Sequence, residues 1–483
     1  MSSIKFLGAS GEVTGSCYLL TGENKNQVLI DFGMFQGGRD ISELNYKPLD
    51  FNPASLKAVF LTHAHLDHCG RLPLLIYPGF LGKIYMTAPT RDLVEVILTD
   101  SAKIAEEKID FMPLYGADEV YKVLQMIEVI EYEQTITVEE FSVTFKDAGH
   151  ILGSASIEIV DNTNGKKIVF SGDLGNTPED IIKPAVYSDD ADVVVMETTY
   201  GSSSHPNEDV SKILMEEINA VEDTGGVLLI PAFSLERTQE LLHRINHLKK
   251  EGKVRADTPV FMDSPMGIRA TEIFKQFKLF YNEEMQSHTD NEPFEFEGLA
   301  TTIEARDSKE IIKAMEPKVI IAGSGMMSGG RILHHALNYL PLQTTRILFV
   351  GYQAEGTLGR QIINGAKTVK IKDRKQMKQV PIRASVRSIT TMSSHADQQK
   401  LFTWLEHIKG VKKVFLIHGE NPQREAFAHL IKEKLGIQNI VMPLIGQEHE
   451  LGSTSPSQPT ITQSPAPAFA APTLDKEDEL ESQ

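Results

Sequence analysis

Four side chains of metal-ligand type fall within six residues in Leu61-Thr-His63-Ala-His65-Leu-Asp67-His68. The run follows the apolar stretch Lys57 to Phe60 and precedes a helical pattern, so it occupies a strand-to-helix turn where such side chains can converge on one point. Imidazole and carboxylate suit Zn²⁺, and a catalytic zinc site uses about three protein ligands while keeping a position for water. Two further pieces close later strands, Asp147-Ala-Gly-His150 and Phe170-Ser-Gly-Asp173. His63, His65 and His150 make one three-histidine set, and Asp67 and His68 begin a second. Asp173 has two oxygens to share between the sets, and His418, at the end of Phe415-Leu-Ile-His418, completes the second. A pair of Zn²⁺ ions per chain is therefore expected. Two ions about 3.5–4 Å apart stabilise both the attacking and the leaving oxygen of an in-line displacement, which suits phosphodiester cleavage. Asp31, ending Val28-Leu-Ile-Asp31, is expected behind the ligands, where it fixes a histidine tautomer.

The elements that must carry these residues read as follows. Phe141 to Lys146 alternates apolar with polar, and Ala155 to Val160 and Lys167 to Ser171 flank the turn signal Asn164-Gly165, so the first two hundred residues predict sheet hairpins interrupted by a few helices. From about residue 201 to 383 the rhythm changes to apolar strands followed by Gly- or Ser-containing loops and helical patterns, the alternation of a parallel α/β unit. Its strands are Val227 to Ile230, Pro259 to Met262, Val319 to Ala322 and Ile347 to Val350. Residues 384–451 supply a helix at Asp397 to Ile408, a strand at Lys413 to Ile417 and a helix near Pro422 to Leu435. Residues 452–483, rich in Ser, Thr, Pro and Ala, read as a disordered tail.

The chain has 483 residues, a formal net charge of −18 and two cysteines, Cys17 and Cys69. No disulfide framework is available, no secretory leader pattern opens the sequence and no membrane-length apolar run occurs, so a cytoplasmic protein without a membrane partner is expected. The negative charge argues against a broad nucleic-acid-binding face, because phosphate affinity rests on a basic footprint. If nucleic acid binds, it must do so through a narrow local array of Arg and Lys.

The His-x-His-x-Asp-His run, the later His150 and Asp173 and the strand-ending Asp31 resemble the signature of the metallo-β-lactamase superfamily. Three further elements resemble its β-CASP branch, whose members process nucleic acids: Val193-Val-Val-Met-Glu197-Thr-Thr-Tyr-Gly201, Met392-Ser393-Ser-His395-Ala-Asp397 and His418-Gly-Glu420, with the long α/β stretch between them. The resemblance spans about residues 3 to 450. It implies an αββα sandwich with an inserted parallel α/β domain, residues 1–200 and 384–451 forming the first and residues 201–383 the second. It also implies a zinc-dependent hydrolase, and histidine at position 418 is the RNA-acting variant of the family's third motif. The expected partner is single-stranded RNA, with a homodimer left open. Cleavage is expected within the strand; a 5′-exoribonuclease and a glyoxalase-type thioesterase are the alternatives.

A departing 3′-oxygen needs a proton, and a histidine oriented by a carboxylate is the usual donor near neutral pH. His395 with Glu197 is the expected pair, and Asp67 is assigned to the catalytic set with them. The insert offers three loops at strand ends, Asp263-Ser264-Pro-Met, Ala322 to Arg331 and Gly351 to Arg360, where free amides attract anions. Arg331, Arg360 and Ser393 are the expected substrate contacts.

Overall fold

The computed structural model describes residues 1–106, 112–176, 180–287, 292–351, 353–354, 356–373, 376–389 and 391–452. Residues 453–483, nearly all of the expected tail, lie outside them, as do Tyr352 and Glu355 of the third loop.

Two seven-stranded sheets form one half of the molecule. The first runs Glu448–Glu450, Ser3–Phe6, Tyr18–Thr21, Gln27–Ile30, Leu56–Phe60, Lys83–Met86, Ile127–Val129, and the second Ile440–Val441, Lys413–Ile417, Val193–Glu197, Lys166–Phe170, Ala155–Asp161, Phe141–Asp147, Thr135–Val138. Strand alternation explains why they stack. Ile4, Phe6, Val28, Ile30 and Phe60 from one sheet interlock with Phe141, Phe145, Ile157, Phe170, Val195 and Phe415 from the other. The opposite faces are apolar as well, so each takes a helix layer. Leu29, Val59 and Ile84 cover Leu93, Val94 and Ile97 of the helix Ala88–Glu106. On the far side Val194, Met196 and Leu416 cover Trp404 and Leu405 of Gln398–His407, and Phe427 and Ile431 of Asn421–Leu435. This is the expected αββα sandwich.

The third sheet has six strands, Leu299–Thr301, Val260–Asp263, Lys318–Ala322, Val227–Pro231, Thr345–Phe349 and Ser385–Ser388 in spatial order, and every pairing is parallel. Its last strand lies just past residue 383, so the sheet reaches beyond the boundary expected from composition; a four-residue edge strand carries too little apolar pattern to mark itself. One helix face of this sheet shares a continuous core with the sandwich, where Phe274, Tyr281 and Phe294 join the cluster that holds Leu93 and Ile97. The other face is closed by Ile332–Tyr339, Leu358–Ile363 and an antiparallel pair, Thr368–Asp373 with Gln376–Pro381, which the sequence reading passed over.

Candidate metal centre

Every residue expected to hold metal sits at the carboxyl end of a strand, in the turn after it or, for Asp67 and His68, in the short helix that follows. The strand Leu56–Phe60 runs into His63 and His65, and His68 lies one turn on in the short helix Leu66–Cys69. Asp31 anchors that turn: Oδ1 accepts the Thr62 amide at 2.8 Å, and Oδ2 accepts the Thr62 hydroxyl at 2.9 Å and contacts His68 Nδ1 at 2.7 Å. With Nδ1 held there, Nε2 of His68 is left to face the cluster. His150 is oriented by the Ser394 carbonyl, 3.0 Å from its Nδ1. Asp173 follows Gly172, whose φ of 57° and close approach to the Ala155 carbonyl, 2.8 Å from where a Cβ would stand, require glycine. His418 closes its strand with a φ of 46°; its Nδ1 lies 3.0 Å from the Thr199 hydroxyl and its amide donates to the Ala9 carbonyl at 2.7 Å.

These elements bring all seven expected ligands together. The ligand atoms of His63, His65, His150 and Asp173 lie within 4.8 Å of one another, and so do those of Asp67, His68 and His418. Asp173 touches both groups, with Oδ2 3.3 Å from His68 Nε2 and 3.5 Å from His63 Nε2, and Oδ1 3.6 Å from His418 Nε2. Asp173 Oδ1 is buried and makes no hydrogen bond. Facing imidazole nitrogens come as close as 3.1 Å between His63 and His65 and 3.3 Å between His68 and His418. Burial lowers the pKa of His63 and His150 well below the usual value and that of His65 to about 4, which keeps these rings neutral as metal binding requires. Burial opposes the charged form of His68 as well, but Asp173 and Asp31 outweigh it and raise its pKa well above the usual value, so a cation bound there would displace its proton. An orphaned carboxylate oxygen among converging imidazole nitrogens fits a dication.

His395 and Glu197 also meet. Glu197 is fully buried at the end of Val193–Glu197, where its carboxylate accepts the Leu174 amide at 2.7 Å and the Thr199 amide at 3.2 Å. His395 Nδ1 lies 3.2 Å from Glu197 Oε1, and Nε2 points to the cluster, 3.9 Å from Asp173 Oδ2. Burial disfavours the charged ring, but Glu197 and Asp173 outweigh it and raise the His395 pKa to about 9; bound cations would pull it back. Asp173, His395 and His418 form a third group with metal-binding spacing, so the geometry admits His395 as a ligand as well as a proton donor, and only a metal count separates the two.

The expected substrate contacts are placed less centrally. Ser393 Oγ faces the His395 amide at 3.4 Å. Arg331 turns its guanidinium to Asp263 at 2.7 Å and to the Thr302 carbonyl at 2.8 Å, and Arg360 lies on the insert helix Leu358–Ile363, so neither is brought to the histidines by these contacts. Other residues matter that the sequence reading left aside. His205 Nε2 sits 3.0 Å from the His395 carbonyl and braces that loop. Phe233, 37% exposed, lies against Gly325 and Gly351 at the carboxyl edge of the insert sheet, where an open ring can stack a base. A lone aromatic after a strand carries no sequence signal that separates it from core.

Glu236 ties the two halves together. It has a φ of 62°, its Oε2 accepts the Leu152 amide of the His150 loop at 3.3 Å, and its buried Oε1 has no partner. Burial, then the neighbouring Glu240, raises its pKa to about 8. A carboxyl with a raised folded value takes up a proton on folding, so the stability it contributes is complete below about pH 4.3, the unfolded value, and is lost as pH rises through the folded one. Glu236→Gln, always neutral, is expected to match the parent melting temperature near pH 4 and to exceed it increasingly toward pH 8. A difference that stays constant across that range in thermal scans would contradict the assignment.

Among the described residues no helix is long and apolar enough to cross a membrane, and Cys17 and Cys69 are buried free thiols. Comparison with known proteins matches residues 10–197 to the metallo-beta-lactamase superfamily, 238–362 to the Beta-Casp domain and 379–443 to the Zn-dependent metallo-hydrolase RNA specificity domain. The chain is 37% identical to Ribonuclease TTHA0252 of Thermus thermophilus, over 88% of this chain and 94% of the relative. It is 32% identical to the RNase J-like protein of Methanocaldococcus jannaschii, over 91% and 98%, and 31% identical to the transcription termination factor FttA of the same organism, over 91% and 70%. Among solved structures, a protein of unknown function from Enterococcus faecalis V583 shares the fold, with a TM-score of 0.52, 11% identity, and coverage of 93% of this chain and 99% of that one.

Proposed function

Because the chain belongs to the β-CASP ribonucleases of the metallo-β-lactamase superfamily, metal-dependent hydrolases, we propose that it cuts single-stranded RNA internally in the cytoplasm with two zinc ions per chain. The observation that carries this reading is the juxtaposition of two ligand groups sharing Asp173 with a separate histidine–carboxylate pair, His395 and Glu197, on their rim. A small-molecule hydrolase needs the first feature and not the second. His63, His65, His150 and Asp173 would hold one ion, and Asp67, His68 and His418, with Asp173, the other. Zinc there would supply Lewis-acid stabilisation of charge on the phosphoryl oxygens.

The chain's own groups do the rest. Glu197 fixes the His395 ring through Nδ1, and Nε2 gives its proton to the departing 3′-oxygen. Ser393, beside His395, contacts the scissile phosphate, and Asp31 keeps His68 in the tautomer that leaves Nε2 unprotonated. Arg331 and Arg360 serve the strand farther along the insert. The partner is RNA, with a homodimer compatible with this reading. Two RNAs test it, one labelled internally and one at the 5′ end, followed by product length over time. Intermediate-length products appearing before mononucleotides are expected; mononucleotides from the first time point would replace internal cleavage with 5′-exonuclease action.

A further inference from the structure

A chain with a net charge of −18 nonetheless concentrates seven Lys or Arg and one acid between positions 367 and 383. Most of that stretch is the antiparallel pair Thr368–Asp373 with Gln376–Pro381, in the register Val369↔Val380, Lys370↔Gln379 and Lys372↔Met377. Directly opposed residues share a face. Val369, Ile371 and Val380 turn inward and join Ala336, Tyr339 and Ile362 in the core of the insert. Lys370, Lys372, Met377 and Gln379 therefore stand together on the outer face, all exposed. The two lysines are two residues apart on one strand, roughly 7 Å. Lys378 is taken by Asp373 at 2.5 Å, whereas among the described residues no carboxylate pairs with Lys370 or Lys372.

The pair is also oriented. Its open end lies beside the helix Ile332–Tyr339 where that helix ends, since the amides of Arg383 and Ala384 donate to the Leu340 carbonyl. Because the strands run antiparallel along that helix, their other end, at Asp373 and Gln376, lies toward the helix start. That helix begins at Arg331, directly after the Gly-rich loop at the carboxyl edge of the sheet. The same edge carries Phe233 and, through Glu236, meets the His150 loop.

We propose that the outer face of the strands Thr368–Asp373 and Gln376–Pro381, centred on Lys370 and Lys372, is an electrostatic docking surface for the RNA backbone away from the scissile bond. The proposal rests on the ribonuclease reading for its ligand. It supplies the narrow basic array that a nuclease with a net charge of −18 needs. RNA too short to reach it gains nothing from it, and longer RNA gains affinity that falls with salt.

The test uses the full zinc-loaded chain, its Lys370→Gln/Lys372→Gln variant and its Lys370→Glu/Lys372→Glu variant, with fluorescent RNAs of about 6 and about 30 nucleotides in titrations at several salt concentrations. The Gln variant is expected to bind the longer RNA about tenfold more weakly. Its salt slope should fall by about 1.4, from about 0.7 per phosphate contact on a single strand. The Glu variant should lose more, and binding and cleavage of the short RNA should match the parent. Unchanged affinity and slope for the long RNA in both variants overturns the proposal, as does an equal loss for both lengths. A changed oligomeric state with unchanged RNA affinity also overturns it and makes the face a contact between copies of this chain. Failure of the parent to cleave either RNA would count against the ribonuclease reading instead, since binding and cleavage are read separately.

Discussion

Asp173→Ala is expected to reduce the purified protein from about two zinc ions to well below one, with RNA cleavage at background. Among the described residues no other carboxylate is shared by both ligand groups: its two oxygens lie 3.3–3.6 Å from nitrogens of His68, His63, His150 and His418. Its removal deprives one group of its only carboxylate and the other of the anion that offsets a second dication. The fold itself is expected to survive, because Asp173 sits beyond the strand Lys166–Phe170, whose packing rests on Ile168, Val169 and Phe170. Far-ultraviolet circular dichroism should therefore match the zinc-stripped parent while elemental analysis does not. An Asp173→Ala protein that retains two zinc ions would remove the shared-ligand assignment.

The second large effect separates proton donation from metal binding. His395→Ala is expected to keep about two zinc ions and near-normal RNA affinity while the cleavage rate falls on the order of 10²–10⁴-fold, the usual contribution of a general acid. Glu197→Gln should fall less, since the imidazole stays but loses the carboxylate 3.2 Å from Nδ1. The sign of its pH effect follows from the same contact. Glu197 raises the His395 pKa, and an acid is lost as pH rises through its pKa, so the alkaline limb of the rate profile should move to lower pH in Glu197→Gln. Zinc lost together with activity in His395→Ala would make His395 a ligand, as the spacing of Asp173, His395 and His418 allows.

How much of this was legible beforehand depended on whether the signal was local. The run from His63 to His68 announces itself because its ligands are crowded into one turn, and His150, Asp173 and His418 because each ends a strand with a clear apolar pattern. The sheet hairpins were equally legible, since Phe141–Asp147 alternates buried and half-exposed residues without exception, whereas their stacking into an αββα sandwich was implied only by the family resemblance. Long-range partnerships were not. Nothing near Arg331 in sequence reveals that Asp263, 68 positions away, engages its guanidinium. Glu236 looks like an ordinary helix-start acid until the Leu152 amide is seen against it. The basic pair at Thr368–Pro381 was hidden differently: its apolar residues are few and its charges read as solvated surface, so only the packing of Val369 and Val380 shows that the lysines share an outward face.

The proposed role of His395 is to protonate the leaving oxygen. An RNA whose scissile 3′-oxygen is replaced by sulfur tests it most directly, because a thiolate departs without a proton. With this substrate the parent and His395→Ala, both zinc-loaded, are expected to cleave at rates within about tenfold of each other, against a gap of about 10²–10⁴-fold on ordinary RNA. The same gap on both substrates would contradict the claim.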